Sequence, residues 1–174
     1  RSIAGLEFRR VLFRSGLTII GLDSLIRRGS ETNVEPLRAL GIDVRIGDIR
    51  DRATIAYWLE RGVRRVILGT AALEDPQLVK SACKEFPGQI VVSIDARGGM
   101  VASRGWLRTT EVRATALALA MEEAGVAAIV FTDIDRDGAL TGVNIDATVD
   151  LAWALKTPVI ASGGLASIDD LRAL

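Results

Sequence analysis

The sequence predicts an α/β protein built on a parallel sheet, and three observations carry that prediction. Short runs rich in β-branched residues recur at 18–22, 44–46, 65–69, 90–96, 128–134 and 159–163. The gaps between them hold apolar residues at helical spacing. Each run is apolar almost throughout, as strands covered on both faces are. Six strand–helix units in order fit either an open doubly wound sheet or a closed barrel of eight units. A barrel takes about 250 residues, so six units in 174 residues leave it two units short. Val44-Arg-Ile-Gly-Asp-Ile-Arg-Asp51 looks like Val159-Ile-Ala-Ser-Gly-Gly-Leu-Ala-Ser-Ile-Asp-Asp170 at a half-barrel separation. That internal likeness points to duplicated halves and favours an incomplete (β/α)8 TIM barrel containing strands 2 to 7.

Residues 1–15 stand apart from this pattern. They hold four arginines against one glutamate, and the remainder carries 18 basic against 21 acidic side chains. The segment has no sustained period and lacks the apolar core of a signal sequence. It resembles the translation of a sequencing adapter and is read as a non-native leader, with the partial barrel domain at 16–174 starting in mid-gene. Beyond it, helical faces are expected at Ile55, Trp58 and Leu59; at Leu78, Ala82, Cys83 and Phe86; at Val112, Ala116, Leu119 and Ala120; and at Ile145, Val149, Ala152 and Trp153. Asp75-Pro76 places a capping carboxylate before a first-turn proline, Ser167 and Asp170 have the spacing of a capping box, and Gly41, Gly62 and Gly125 follow helices as stop signals.

Composition narrows the function. Net charge is zero with no basic stripe, which argues against nucleic acid as a partner. No apolar run approaches the roughly 20 residues of a membrane span. The lone Cys83 sits in a helical pattern as a small core residue and gives neither a disulfide nor a zinc site. With no histidine in the chain, proton chemistry near neutral pH falls to carboxylates, lysine or cysteine in environments that tune them.

In either fold the functional groups gather at the carboxyl ends of the strands. Asp95 and Arg97 end one strand; Thr132, Asp133 and Asp135 end the next, and Asp137-Gly138 follow in the loop. A bland role for Asp95 is a rim salt bridge to a neighbouring arginine. Its functional role is an acid whose pKa is raised by partial burial or by a second carboxylate such as Asp137. The acidic run 133–137 has no second ligand cluster, so no metal is expected. Ser162-Gly163-Gly164 ends a strand before a helix N-terminus, an arrangement that suits a phosphate. Gly69-Thr70-Ala71 is a second, weaker candidate across the barrel mouth, and two such sites imply a substrate with a phosphate at each end.

Val66-Ile-Leu-Gly-Thr-Ala-Ala72, Ser93-Ile-Asp-Ala-Arg97, Arg104-Gly-Trp106, Phe131-Thr-Asp-Ile-Asp-Arg-Asp-Gly138 and Val159-Ile-Ala-Ser-Gly-Gly164 closely resemble the ProFAR isomerases of histidine biosynthesis, which are (β/α)8 barrels. The match runs from Asn33 to Leu174 in the family's order. It implies an Amadori rearrangement of an aminoaldose to an aminoketose, an intramolecular oxidoreduction by acid and base without metal or cofactor. It further implies a cytoplasmic enzyme, monomeric at full length, acting on a bis-phosphorylated small molecule. By resemblance Asp95 takes the proton-donor position with Asp137 as its rival, and Thr132 bonds the reacting sugar. Arg104 and Trp106 lie over the substrate, and Gly69, Thr70, Ser162, Gly163 and Gly164 bind it. The family's base, an aspartate ending the first strand, has no counterpart here. The family's three glycines before Ile-Arg-Asp at the third strand's end are here Gly47-Asp48, one residue shorter and with an acid inserted, and a carboxylate about 4 Å from a phosphate costs on the order of 4 kcal/mol. The alternatives are the cyclase subunit of imidazole glycerol phosphate synthase and a non-catalytic derivative, with Gly-Thr-Ala-Ala and Arg-Gly-Trp favouring the isomerase. Missing end strands expose sheet edges, so the polypeptide alone is expected to be inactive and aggregation-prone.

Overall fold

Each β-branched run marked by the sequence becomes a strand. The structure is a computed structural model that describes residues 20–23, 34–39, 43–46 and 49–174, and it divides into two compact units, Arg1–Asp48 and Ile49–Leu174. In the first unit, β1 (Ile20–Asp23) and β2 (Asp43–Ile46) pair in parallel, with Ile20 opposite Asp43 and Asp23 opposite Ile46. Helix α1 (Val34–Ala39) lies between them in sequence and carries an ion pair of 2.9 Å from Arg38 to Glu35. Gly41 and the altered loop residue Asp48 lie outside the described residues.

The second unit contains α2 (Arg52–Glu60), β3 (Val66–Leu68), α3 (Thr70–Glu74), α4 (Pro76–Glu85), β4 (Ile90–Arg97), β5 (Met100–Ser103), β6 (Arg108–Arg113), α5 (Ala114–Ala124), β7 (Ala128–Asp133), α6 (Ile145–Ala154), β8 (Val159–Ser162) and α7 (Ile168–Ala173). Strands β3, β4, β7 and β8 form one parallel row. Among the described residues that row does not close on itself, as an incomplete barrel requires.

Register and the two-residue side-chain period divide the row into two faces. Leu68, Val92, Ile129 and Val159 are aligned, as are Ile94, Phe131 and Ala161, and this face packs on the helices. Ile67, Val91 and Ala128 line the opposite face, followed toward the strand ends by Ser93, Val130 and Ile160 and then by Asp95, Thr132 and Ser162. Leu68 is fully buried, whereas its neighbour Ile67 is 53% exposed and Ile160 is 46% exposed. The strands are therefore apolar on both faces while only the helix side is fully covered.

The capping signals act as read. Asp75 accepts the Leu78 N–H at 3.0 Å at the start of α4, and Ser167 with Asp170 forms the capping box of α7. Gly62 and Gly125 follow α2 and α5 with φ of 89° and 91°. Two helical faces differ from expectation. On α5 the buried stripe is Ala114, Leu117, Ala118 and Met121, while Leu119, Ala116 and Ala120 are exposed and Val112 belongs to β6. On α6 the buried residues are Thr148 and Leu151; Ile145 and Val149 are half-buried, Ala152 is exposed and Trp153 is 86% exposed. Both helices carry alanine and leucine-class residues around most of their circumference, so periodicity alone does not single out a face.

The β5–β6 hairpin is an element that the alternating pattern does not announce. It pairs antiparallel with the upper end of β4, with Arg97 opposite Met100. Gly98 and Gly99 are the two turn residues, with φ of 55° and 78°. Two consecutive positive φ values suit a tight hairpin turn, which explains why a charged strand end is followed by two glycines.

Candidate functional site

Strand β4 carries Asp95 to the carboxyl end of the row, on the face away from the helices. Parallel register places Thr132 of β7 beside it and Ser162 of β8 beside Thr132. Adjacent strands lie about 4.8 Å apart, so these three polar side chains form a continuous row across the open face. Thr132 is buried and Asp95 half-buried. The rim salt bridge open to Asp95 is formed elsewhere: Arg97 pairs with Asp135 at 2.9 Å. Asp95 instead accepts Ser93 Oγ on Oδ1 at 3.1 Å and Trp106 Nε1 on Oδ2 at 2.7 Å. Ser93 was legible from the two-residue period, since it precedes Asp95 on the same face of the same strand.

The loop that delivers Trp106 is tightly held. Arg104, Gly105 and Trp106 are three consecutive left-handed residues, with φ of 55°, 64° and 71°. Each non-glycine residue there costs on the order of 1–2 kcal/mol, so neighbouring contacts must hold the turn. The Arg104 N–H donates to Thr70 Oγ1 at 3.1 Å, and the Arg104 guanidinium donates to Glu74 at 3.2 Å. With Trp106 on Asp95, the hairpin tip forms one wall of a pocket whose lining includes Gly69, Thr70, Ser93, Asp95, Gly105 and Trp106. Asp95 is the one titratable group among the described residues of that lining, and the cavity is about 20 Å³. A single water needs about 10–15 Å³. The cavity has room for about one water and not for a sugar phosphate.

Four of the expected site residues, Gly69, Thr70, Asp95 and Trp106, meet in this pocket. Arg104 lies at its rim with its side chain turned to Glu74. Thr132 and Ser162 lie along the same face, outside the pocket lining. Gly163 and Gly164 follow β8 with φ of 85° and 86°. A Cβ on Gly163 would lie 2.7 Å from the Asp133 carbonyl oxygen, and one on Gly164 would lie 2.3 Å from that of Gly142. Only glycine permits this approach of the β8 loop to the loop after β7. The N–H groups of Ala166 and Ser167 both donate to the Asp170 carboxylate at 2.8 Å, which draws its pKa below the ordinary carboxylate value.

Asp137 stands exposed in the turn after β7, outside the pocket lining. Asp133 has a structural environment: it accepts the Asn144 amide at 2.6 Å and the Asp135 N–H at 3.0 Å, and Arg136 lies 3.7 Å away. Its register partner is Ala96, so the two-residue period points it away from the face that carries Asp95. Among the described residues no group of His, Cys, Asp and Glu side chains is arranged to hold a metal ion. No described helix is long and apolar enough to cross a membrane.

Comparison with known proteins places this geometry in context. The enzyme from Rhodospirillum rubrum named 1-(5-phosphoribosyl)-5-((5-phosphoribosylamino)methylideneamino)imidazole-4-carboxamide isomerase is 64% identical over 139 residues, covering 79% of this chain and 58% of that protein. A protein of the same name from Rhodospirillum centenum is 66% identical over 128 residues, 74% of this chain and 52% of the relative. A third, from Bradyrhizobium diazoefficiens, is 51% identical over 163 residues, 91% of this chain and 65% of the relative. The chain thus spans between about half and two thirds of the length of these relatives. The chain matches the family described as "Histidine biosynthesis protein" over residues 17–174, and it belongs to that family.

Proposed function

We propose that this chain is part of an isomerase that converts the aminoaldose ProFAR to its aminoketose, the activity named for the Rhodospirillum and Bradyrhizobium relatives. The observation that carries the reading is Asp95, the one titratable side chain among the described residues lining the pocket, aligned with Thr132 and Ser162 at the strand ends. The rearrangement needs an acid that gives a proton to the ribose ring oxygen as the C1–O bond breaks. A base then takes the proton from C2, and the resulting enolamine becomes the ketose. Asp95 is the acid, with Asp137 its rival; Thr132 bonds the opened sugar, and Arg104 and Trp106 cover the substrate. The β3 end, with Gly69 and Thr70, and the β8 end, with Ser162, Gly163 and Gly164, are three strand spacings apart, about 14 Å along the sheet. That separation suits the two phosphates of one extended substrate. No metal or cofactor takes part, and the enzyme works as a cytoplasmic monomer.

A chimera of the Rhodospirillum rubrum isomerase in which residues 49–174 of this chain replace the matching stretch tests the reading. Expected is restored growth without histidine in a bacterium lacking the isomerase, with Asp95→Asn lowering kcat/KM at least about 100-fold, the low end for general acid catalysis. A folded, inactive chimera contradicts the reading. A larger loss in Asp137→Asn than in Asp95→Asn transfers the acid role to Asp137. Ammonia-dependent ring closure in place of isomerisation identifies the cyclase.

A further inference from the structure

We propose that Glu74 is a positioning residue that acts through Arg104 to seat the Trp106 indole on Asp95 and so sets how often the pocket is open. The inference rests on the reading of Asp95 as the substrate-facing acid; the contacts themselves are geometric. Glu74 lies at the last position of α3, on the segment that follows β3, whereas Trp106 belongs to the hairpin tip beyond β4. The Glu74–Arg104 ion pair at 3.2 Å and the Arg104 N–H to Thr70 Oγ1 bond at 3.1 Å are therefore two clasps from one element onto the other.

Between these clasps and Asp95 lies the run of left-handed residues 104–106, a conformation that persists where its surroundings enforce it. Releasing Arg104 frees the turn to relax, and relaxation carries the indole N–H off Asp95 Oδ2. That oxygen is where a substrate atom must bind, and with the indole in place the cavity of about 20 Å³ has no room for the sugar. Substrate binding thus requires the indole to leave, and the apparent affinity scales with the fraction of molecules in which it has left. Glu74 and Arg104 side chains are 43% and 65% exposed. Such a pair shifts an equilibrium a few-fold at most and is weakened by salt, a magnitude suited to a clasp that opens on each cycle.

The test uses the 174-residue chain labelled with 15N, following hydrogen exchange at the three tryptophan indoles, with the Trp106 signal assigned by its loss in Trp106→Phe. In the wild type, Trp106 should exchange more slowly than the exposed Trp153. Glu74→Gln should speed Trp106 exchange about two- to fivefold and leave Trp58 unchanged, and 0.5 M NaCl should speed it in the wild type but not in Glu74→Gln. The charge-reversed pair Glu74→Arg with Arg104→Glu should restore slow exchange. Unchanged Trp106 exchange in both Glu74→Gln and high salt overturns the proposal, as does an equal acceleration at Trp58, which signals general loosening. Salt acts on the unmodified chain, so the result stands even where a variant folds poorly. Because turnover is not read, failure here leaves the proposed reaction intact, and an inactive chimera leaves the clasp intact.

Discussion

At the residue scale, glycines decide how closely the loops at the strand ends approach one another. Gly164 has φ of 86°, and a Cβ there would lie 2.3 Å from the Gly142 carbonyl oxygen, whose own N–H donates to Gly164 O at 2.9 Å. Gly62 has almost the same φ, 89°, but opens onto free space. Substituting alanine at both separates two costs. Gly62→Ala should lose about 1–2 kcal/mol, the backbone term alone, whereas Gly164→Ala should lose about 2–4 kcal/mol because overpacking against backbone is added. Urea unfolding of the two variants measures the difference, and equal losses would show that the loop after β7 yields without cost. Cys83 is the opposite kind of residue: buried to 7% exposure, its thiol is pushed up in pKa by desolvation and acts as a core methyl-sized group.

At the element scale, helix starts anchor the strand–helix units. Asp75 caps α4 through the Leu78 N–H, Asp51 caps α2 through the Thr54 N–H at 2.7 Å, and Asn144 caps α6 through Ala147 at 3.2 Å. Asn144 has a second task, since its amide also holds Asp133 and thereby fixes the loop that carries Asp137. Asp75→Ala should cost about 1 kcal/mol, with α4 intact because Val79, Ala82 and Cys83 still pack on the core. A drop in thermal midpoint of roughly 3 °C or more for a domain of this size is the expected reading. An unchanged midpoint would mean that the proline at the first helical position suffices by itself.

At the scale of the whole molecule, carboxylates that accept backbone N–H groups tie stability to pH. Glu122 accepts the N–H groups of Thr157 and Lys156 at 2.6 and 2.7 Å, joining the end of α5 to the loop before β8. The bonds from Thr157 chiefly lower its pKa from 4.5, as Thr54 lowers Asp51 and Ala166 lowers Asp170 from 3.8. A depressed folded pKa stabilises the protein above the unfolded value, and the gain is lost as pH falls through the folded value. The contribution of these groups is thus complete above about pH 5 and declines below about pH 4. Urea midpoints measured from pH 7 to pH 3 should fall in the acid range, and more shallowly in Glu122→Gln. An identical slope in the variant removes Glu122 from the account.

The sequence by itself determined the order of the six parallel strands, the caps at Asp75 and Ser167, and the candidates Asp95 and Trp106, but not the β5–β6 hairpin, because periodicity, turn chemistry and local hydrogen bonding act within a few residues. It also determined membership of the family, since the motifs at 66–72, 93–97, 131–138 and 159–164 are contiguous. Tertiary structure alone decided which faces of α5 and α6 are buried, because an apolar circumference leaves that choice to the neighbouring sheet. It also decided that Arg97 pairs with Asp135 while Asp95 takes Trp106, and that Glu74 reaches Arg104. Those partners are as many as 38 residues apart in the chain, and no local rule of side-chain spacing reaches that far; chain folding brings them within 3–4 Å.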